Sequence, residues 1–418
     1  MYMETNTIKS GQWVALQREN YVKVVQVTEK SHISLGRDIV ELGNLMGKSV
    51  WSTYSMEAAK RIRGERRFQL VECPISEYEQ SLVQVLVDDS KDTEGKDNRF
   101  IKDDGQSQKL SREAIVGMQA EGVSAKDIVG QLVENSSTFE QKTVFAQEKY
   151  VSKKQRKYKK YVLVRPTSNR LVTQALCNLS PQEQNPKHMS LRQDSLSLIV
   201  SLSGVQATTT PSTFLLFESG SQGMVTSAMI ERLSATSDAH LIVLSCARGT
   251  DKTIAIQAMN YSPELLSKVH YLSLSEFLKS ATECGILPLK ENGEKQEEGP
   301  LAKRANSDYE AEISLVMERL RSDKAAALIV VAKENPINVC THLLPLVELS
   351  RPFVIYSQFK EPLQEAYMKL KADKNVTALK LKEPWLRKYQ ILPERTHPEV
   401  LMSGSGGFIL HGLTVEST

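Results

Sequence analysis

Phe214-Leu215-Leu216-Phe217-Glu218-Ser219-Gly220-Ser221-Gln222-Gly223-Met224 runs directly into the helix-like Val225–Leu233. An apolar run, a glycine-bearing turn and a helix follow one another without a break. A Rossmann-like sheet uses that order to cradle a nucleotide cofactor. Glycines in such a turn let the backbone take positive φ and approach a ligand closely. Here Glu218 stands at the acidic position and Gly220 at the first glycine, while Gln222 and Met224 occupy the next two glycine positions. A long amide and a thioether at those places crowd a cofactor. The stretch therefore predicts a Rossmann-like fold with a degenerate cofactor loop, although an ordinary strand-turn-helix of any α/β domain has the same order.

The regions around this turn alternate in the same way. Apolar runs at Phe214–Phe217, His240–Leu244, Ala327–Val331 and Phe353–Tyr356 are separated by helical patterns at Met224–Leu233, Ile254–Met259, Glu310–Arg321 and Val339–Leu349. Further helical patterns cover Arg192–Leu202 and Leu363–Lys371. Strand-helix alternation implies a mostly parallel α/β sheet, which we place at 161–418. Leu386–Ile391 and Gly407–Val415 read as a closing strand pair, and Ser403–Gly407 as a tight hairpin before the last strand. Lys290–Asp308 breaks the alternation with charges, Gly and Pro, and 290–308 reads as a disordered insertion.

Residues 1–88 read differently. Gln12–Gln17, Tyr21–Val27, Val50–Tyr54, Phe68–Cys73 and Leu82–Val87 are short β-rich runs punctuated by Gly36, Gly43, Gly47 and Gly64. That pattern predicts a small N-terminal β-barrel. A helical, basic connecting segment at 89–160 follows. Ser111 caps a helix over Arg112–Ala120, Ser124 and Asp127 form a capping box for Ala125–Glu134, and Ser137 caps a third helix toward Tyr150.

At 418 residues the chain is long enough for two or three domains. A net charge of +3 says little by itself. Five scattered cysteines without a C-x-x-C pair suit reduced thiols rather than a disulfide framework. Seven histidines without ligand spacing predict no metal site. Met1–Val14 is polar and lacks the apolar core of a signal peptide. The longest clean apolar run, Ala325–Ala332, is eight residues, so no membrane association is expected.

The placement of basic residues is more telling than their number. Lys149, Lys153, Lys154, Arg156, Lys157, Lys159 and Lys160 fall within 149–161 with no acidic residue among them, and Tyr150, Tyr158 and Tyr161 interleave. Such a density repels itself unless an anion neutralises it, and phosphates are the usual anion. Tyrosines can stack on bases. If roughly four to seven of these cations met phosphates, log affinity would fall with log salt at a slope of about −3 to −6. A nuclear-import signal or a solvated linker helix are the plainer readings. Trp385–Pro393 with Arg395–Pro398 mixes basic and aromatic residues, which fits a loop packing Trp385 inward or a contact with RNA or a partner.

In class I methyltransferases the turn after the first strand reads acid-x-Gly-x-Gly-x-Gly, the second strand ends in an acid for the ribose hydroxyls, and the fourth delivers a catalytic acid or amide. Here the second run ends in Ser245-Cys246, and the fourth runs into Ala332-Lys333-Glu334-Asn335-Pro336. Several longer motifs are more specific. They are Asp97-Asn98-Arg99, Asp103–Leu110, Glu134–Phe139, Phe145–Tyr150, Ser350–Tyr356 and Leu392–Pro398. On these the chain resembles the non-catalytic subunit of the eukaryotic tRNA adenine-58 N1-methyltransferase, over nearly its whole length. The resemblance implies a barrel followed by a methyltransferase-type domain, and a heterotetramer with two copies of a paralogous catalytic subunit. It also implies S-adenosylmethionine in the partner and none in this chain, tRNA as the ligand, no catalytic residue, and a nuclear location. Two rival readings remain: an active S-adenosylmethionine-dependent RNA methyltransferase, and a general RNA-binding protein with no methylation role.

Overall fold

Short runs in which every second side chain is apolar build the first sheet. The computed structural model describes residues 7–18, 21–36, 38–58, 67–76, 78, 107–120, 123, 125–140, 142–143, 146–147, 150–151, 154, 158, 161–178, 189–246, 253–288, 307–391, 396–400, 402 and 405–416. The chain divides into two units, Met1–Pro166 and Thr167–Thr418. In the first unit the strands are β1 (Trp13–Arg18), β2 (Tyr21–Gln26), β3 (His32–Leu35), β4 (Asp38–Glu41), β5 (Thr53–Ala58), β6 (Arg67–Cys73) and β7 (Tyr161–Pro166). They form one sheet in the order β2-β1-β7-β5-β6-β4-β3, antiparallel except for β4 with β6. The edge strands β2 and β3 are linked through Lys23, whose Nζ donates to Ser34 O at 2.9 Å, so the sheet is nearly a closed barrel. Val14, Leu16, Phe68, Leu70, Val162 and Val164 alternate inward and fill it.

The sequence-derived boundary at 161 is therefore displaced. Tyr161-Val162-Leu163-Val164 is an apolar run like those of the second unit, but it pairs with β1 and β5 of the first. Its alternating burial is that of a barrel strand, whereas the parallel strands of the second unit are buried on both faces. The expected Leu82–Val87 strand and residues 290–306 of the expected insertion lie outside the described residues. Ser307 and Asp308, at the end of the expected insertion, already belong to a helix.

Helices α1 (Arg112–Ala120) and α2 (Ala125–Glu134) form where expected, and Ser111 Oγ accepts from Ala114 N at 3.1 Å as the cap. The third cap is misplaced in the sequence reading. Ser137 instead donates its hydroxyl to Ser107 O, and Thr143 Oγ1 accepts from Ala146 N at 3.3 Å. Ile128, Val129, Leu132, Phe139, Val151 and Tyr158 pack into a small core of their own.

In the second unit the strands are β8 (Ser212–Glu218), β9 (Ala239–Ser245), β10 (Val269–Ser273), β11 (Ala327–Val331), β12 (Pro352–Ser357) and β13 (Val376–Lys382). Two further pieces, β14 (Tyr389–Gln390) and β15 (His397–Pro398), pair only with each other, and β16 (Phe408–Thr414) returns to the main sheet. The order is β10-β9-β8-β11-β12-β16-β13, parallel from β10 to β12 and antiparallel at β16. Counted within the unit this is 3-2-1-4-5 with the final strand inserted antiparallel beside the fifth, a Rossmann-like methyltransferase-type sheet. Its helices longer than four residues, among those described, are α3 (Asn169–Asn178), α4 (Gln193–Ser203), α5 (Met224–Ile230), α6 (Leu274–Glu283), α7 (Ser307–Ser322), α8 (Pro336–Leu343) and α9 (Glu361–Asp373).

The expected closing pair is corrected. β16 pairs with β12 and with β13, and Leu386–Ile391 stays out of the sheet. Trp385, one reading of which put it in the core, is 77% exposed. Gly407 lies at φ +75° with its backbone against the Tyr356 ring, a close approach that the missing side chain permits. Among the described residues no helix is long and apolar enough to cross a membrane.

Candidate functional site

The parallel order reverses between β8 and β11, and ligands of open α/β sheets bind outside the carboxyl ends of the strands at that point. Two segments meet there, the turn after β8 (Glu218–Gly223) and the chain leaving β11 (Ala332–Asn335). Ser219 N donates to Val331 O at 2.9 Å and joins them.

The turn keeps the backbone of a glycine loop. Gly220, Gln222 and Gly223 sit at φ +86°, +57° and +77°. Gln222 thus takes a left-handed conformation that favours glycine and costs another residue about 1–2 kcal/mol. Met224 begins α5 and is buried, so its thioether belongs to the core of the unit. The closure of the turn comes from residues that the sequence reading did not single out for it. The Lys333 side chain lies along Gly220, and a Cβ on that glycine would stand 2.5 Å from Lys333 Cε. A Cβ on Gly223 would run into Thr253 Oγ1. The protein's own side chains press on both glycines and leave no room for a Cβ.

Glu218 is likewise committed inward. One carboxylate oxygen accepts from Val225 N at 3.1 Å and from the Ser221 hydroxyl. The other accepts from Thr226 N at 2.9 Å and from the Thr226 hydroxyl. A carboxylate at the positive end of α5 satisfies the backbone donors that an anionic ligand meets in a working loop. Glu334, three residues past β11, accepts from Ser219 Oγ at 2.9 Å and from Cys246 Sγ at 3.3 Å. It ties the ends of β8, β9 and β11 together. Burial and then the Glu334 carboxylate push the Cys246 thiol upward, so it stays protonated at neutral pH. Where a methyltransferase wants an acid after its second strand, this chain has that neutral thiol. Among the described residues no cluster of His, Cys, Asp and Glu could hold a metal ion.

Of the seven cations singled out at 149–161, Lys154 is described, and Lys149, Lys153, Arg156, Lys157, Lys159 and Lys160 lie outside the described residues. The interleaved tyrosines have structural work. Tyr158 is buried in the small helical core. Tyr150 packs edge-on to Phe139, with ring centroids 5.7 Å apart, and Gln108 Nε2 donates to its hydroxyl at 3.4 Å. Tyr161 lies edge-on to Tyr78 on the barrel strand β7. Base stacking on the buried Tyr158 is thereby removed from the reading, while the cations remain. Their spacing gave no hint of this, because tyrosine at helical intervals serves a core and a stacking platform equally well.

The Gcd10p family model matches residues 7–311. The chain is 32% identical to the mouse tRNA (adenine(58)-N(1))-methyltransferase non-catalytic subunit, over 98% of this chain and 89% of that one. It is 28% identical to the Dictyostelium discoideum subunit of the same name, over 98% and 80%. A crystal structure of a tRNA (m1A58) methyltransferase from Aquifex aeolicus aligns with a TM-score of 0.45 at 9% identity, covering 98% of this chain and 99% of that one.

Proposed function

The chain belongs to the Gcd10p family, with the non-catalytic subunits of tRNA (adenine(58)-N(1))-methyltransferase among its relatives, and we propose that it is such a subunit. It binds tRNA and presents the T-loop adenosine to a paralogous catalytic subunit that carries S-adenosylmethionine. The observation that carries this reading is the self-filled turn. The sheet and the loop backbone are those of a cofactor-binding domain, yet Glu218 occupies the helix terminus and Lys333 covers Gly220.

The division of labour follows from the chemistry. A target adenine must leave its tertiary pairing before N1 is accessible, and extruding a base costs a few kcal/mol. A subunit that holds the distorted backbone through phosphates supplies part of that cost while its partner supplies the methyl donor. Lys149, Lys153, Lys154, Arg156, Lys157, Lys159 and Lys160 are the cations for this grip. Two copies of each subunit form the assembly, and the same basic run serves as a signal for entry into the nucleus.

Calorimetry separates this reading from an active methyltransferase. Titrating S-adenosylmethionine into the isolated chain is expected to give no binding heat. A saturable heat with one site per chain would show that Gln222 and Lys333 tolerate the cofactor, and the proposal would fall.

A further inference from the structure

Two lysines from different segments converge on one ring. Lys142 Nζ stands 4.8 Å from the centroid of Tyr150, and Lys154 Nζ stands 5.2 Å from the same centroid. The two ammoniums are therefore at most about 10 Å apart. Like charges at that range repel, and the interaction is only partly screened at physiological salt. The ring quadrupole offsets the repulsion by attracting both cations. The ring itself is fixed: Phe139 packs against its edge, and Gln108 donates to its hydroxyl while also donating to Leu132 O at 2.8 Å. Both lysines are half-buried, which restricts the rotamers open to their long side chains. A lysine on a free surface must give up rotamer freedom before it can grip an anion, whereas these two give up little.

We propose that Lys142 and Lys154, held on Tyr150, form a preorganised clamp for the phosphates of the tRNA backbone. The inference rests on the tRNA-binding role proposed above and assigns it a site. It extends the basic surface beyond 149–161 to Lys142, a residue that lies outside the dense run. The clamp reads backbone charge and no base, so it acts on any tRNA that the complex accepts. The tyrosine serves as the support of two cations and takes no part in stacking.

The test uses the co-expressed complex and a tRNA transcript, with affinity measured by filter binding across a salt series. In Lys142→Gln the slope of log affinity against log salt is expected to shrink by about 1, and Lys142→Arg should restore it. Tyr150→Leu keeps both charges and removes their support, so affinity should fall several-fold with the slope preserved. An unchanged slope in Lys142→Gln overturns the clamp. If charge reversal at Lys153, Arg156 and Lys157 abolishes binding while Lys142→Gln changes nothing, only the clamp fails. If neither change alters binding, the tRNA-binding role itself fails.

Discussion

Replacing Lys153, Lys154, Arg156 and Lys157 with glutamate is expected to lower the affinity of the assembled complex for a tRNA transcript by about 100-fold or more at moderate salt. These four cations sit in a stretch of thirteen residues without one acidic side chain. Each phosphate contact contributes about 0.7 to 0.9 to the salt slope, so losing four contacts should reduce the slope by about 3. Reversal does more than remove contacts, because four carboxylates now repel the phosphates that the cations attracted. The glutamine version of the same four positions should therefore give a smaller loss of affinity with a similar loss of slope. The helical core gives a control. Val151 and Tyr158 are buried within this stretch, so thermal unfolding of the variant must match that of the parent before a binding defect is assigned to charge. Unchanged affinity in a filter-binding titration, with folding intact, would contradict the assignment of this run to tRNA.

Glu218→Ala should destabilise the second unit by about 3–5 kcal/mol, a large share of the stability of an ordinary domain. The carboxylate is buried and accepts from Val225 N, Thr226 N and the hydroxyls of Ser221 and Thr226. Truncation leaves two backbone donors of α5 without their acceptor and opens a cavity beside Met224 and Val225, both buried. The hydroxyls can rotate to other partners, but the backbone groups cannot. Glu218→Gln keeps one acceptor oxygen and turns an amide N–H₂ toward two donors, so it should lose about half as much. Chemical denaturation followed by near-ultraviolet circular dichroism reads both variants. A midpoint within experimental error of the parent for Glu218→Ala would show that this acid is not a structural cap. The loop would then have to be reconsidered as a ligand site.

How far the sequence discloses this fold depends on what each residue type signals locally. β8, β9, β11 and β12 are continuous runs of Leu, Ile, Val and Phe because both faces of a parallel sheet are covered, and such runs are plain to read. β13 is a sheet edge with Lys380 and Lys382 along it and a bulge after Thr377, so its polar pattern hid it. β10 was obscured by His270 and Tyr271 in a five-residue strand. Its histidine meets His240 of β9, with Nδ1 and Nε2 2.9 Å apart and the rings stacked. Burial pushes both imidazoles down to about 4, so they are neutral at physiological pH. Residues thirty apart in the chain give no sign of such a pair, since parallel register alone brings them together. Tyr161–Pro166 was assigned to the wrong unit because a strand's own residues do not say which sheet it joins.

The candidate site divides in the same way. The degenerate turn could be read from Gln222 and Met224 at two glycine positions, since each substitution is local. What closes it could not be read. Lys333 and Thr253 are far from the turn in sequence, and only the reversal of strand order between β8 and β11 and the packing around α5 bring them onto Gly220 and Gly223. Met224, which the sequence places against a cofactor, is buried as the first residue of α5, and a buried first residue of a helix and a pocket-lining residue have identical local sequence.

The most direct test is methyl transfer from labelled S-adenosylmethionine to a tRNA transcript, measured for this chain alone, for the catalytic subunit alone and for the two co-expressed. Incorporation in the co-expressed sample only is the predicted result. Incorporation by this chain alone would contradict the account, and would mean that the turn at Gly220–Met224 opens into a working cofactor pocket.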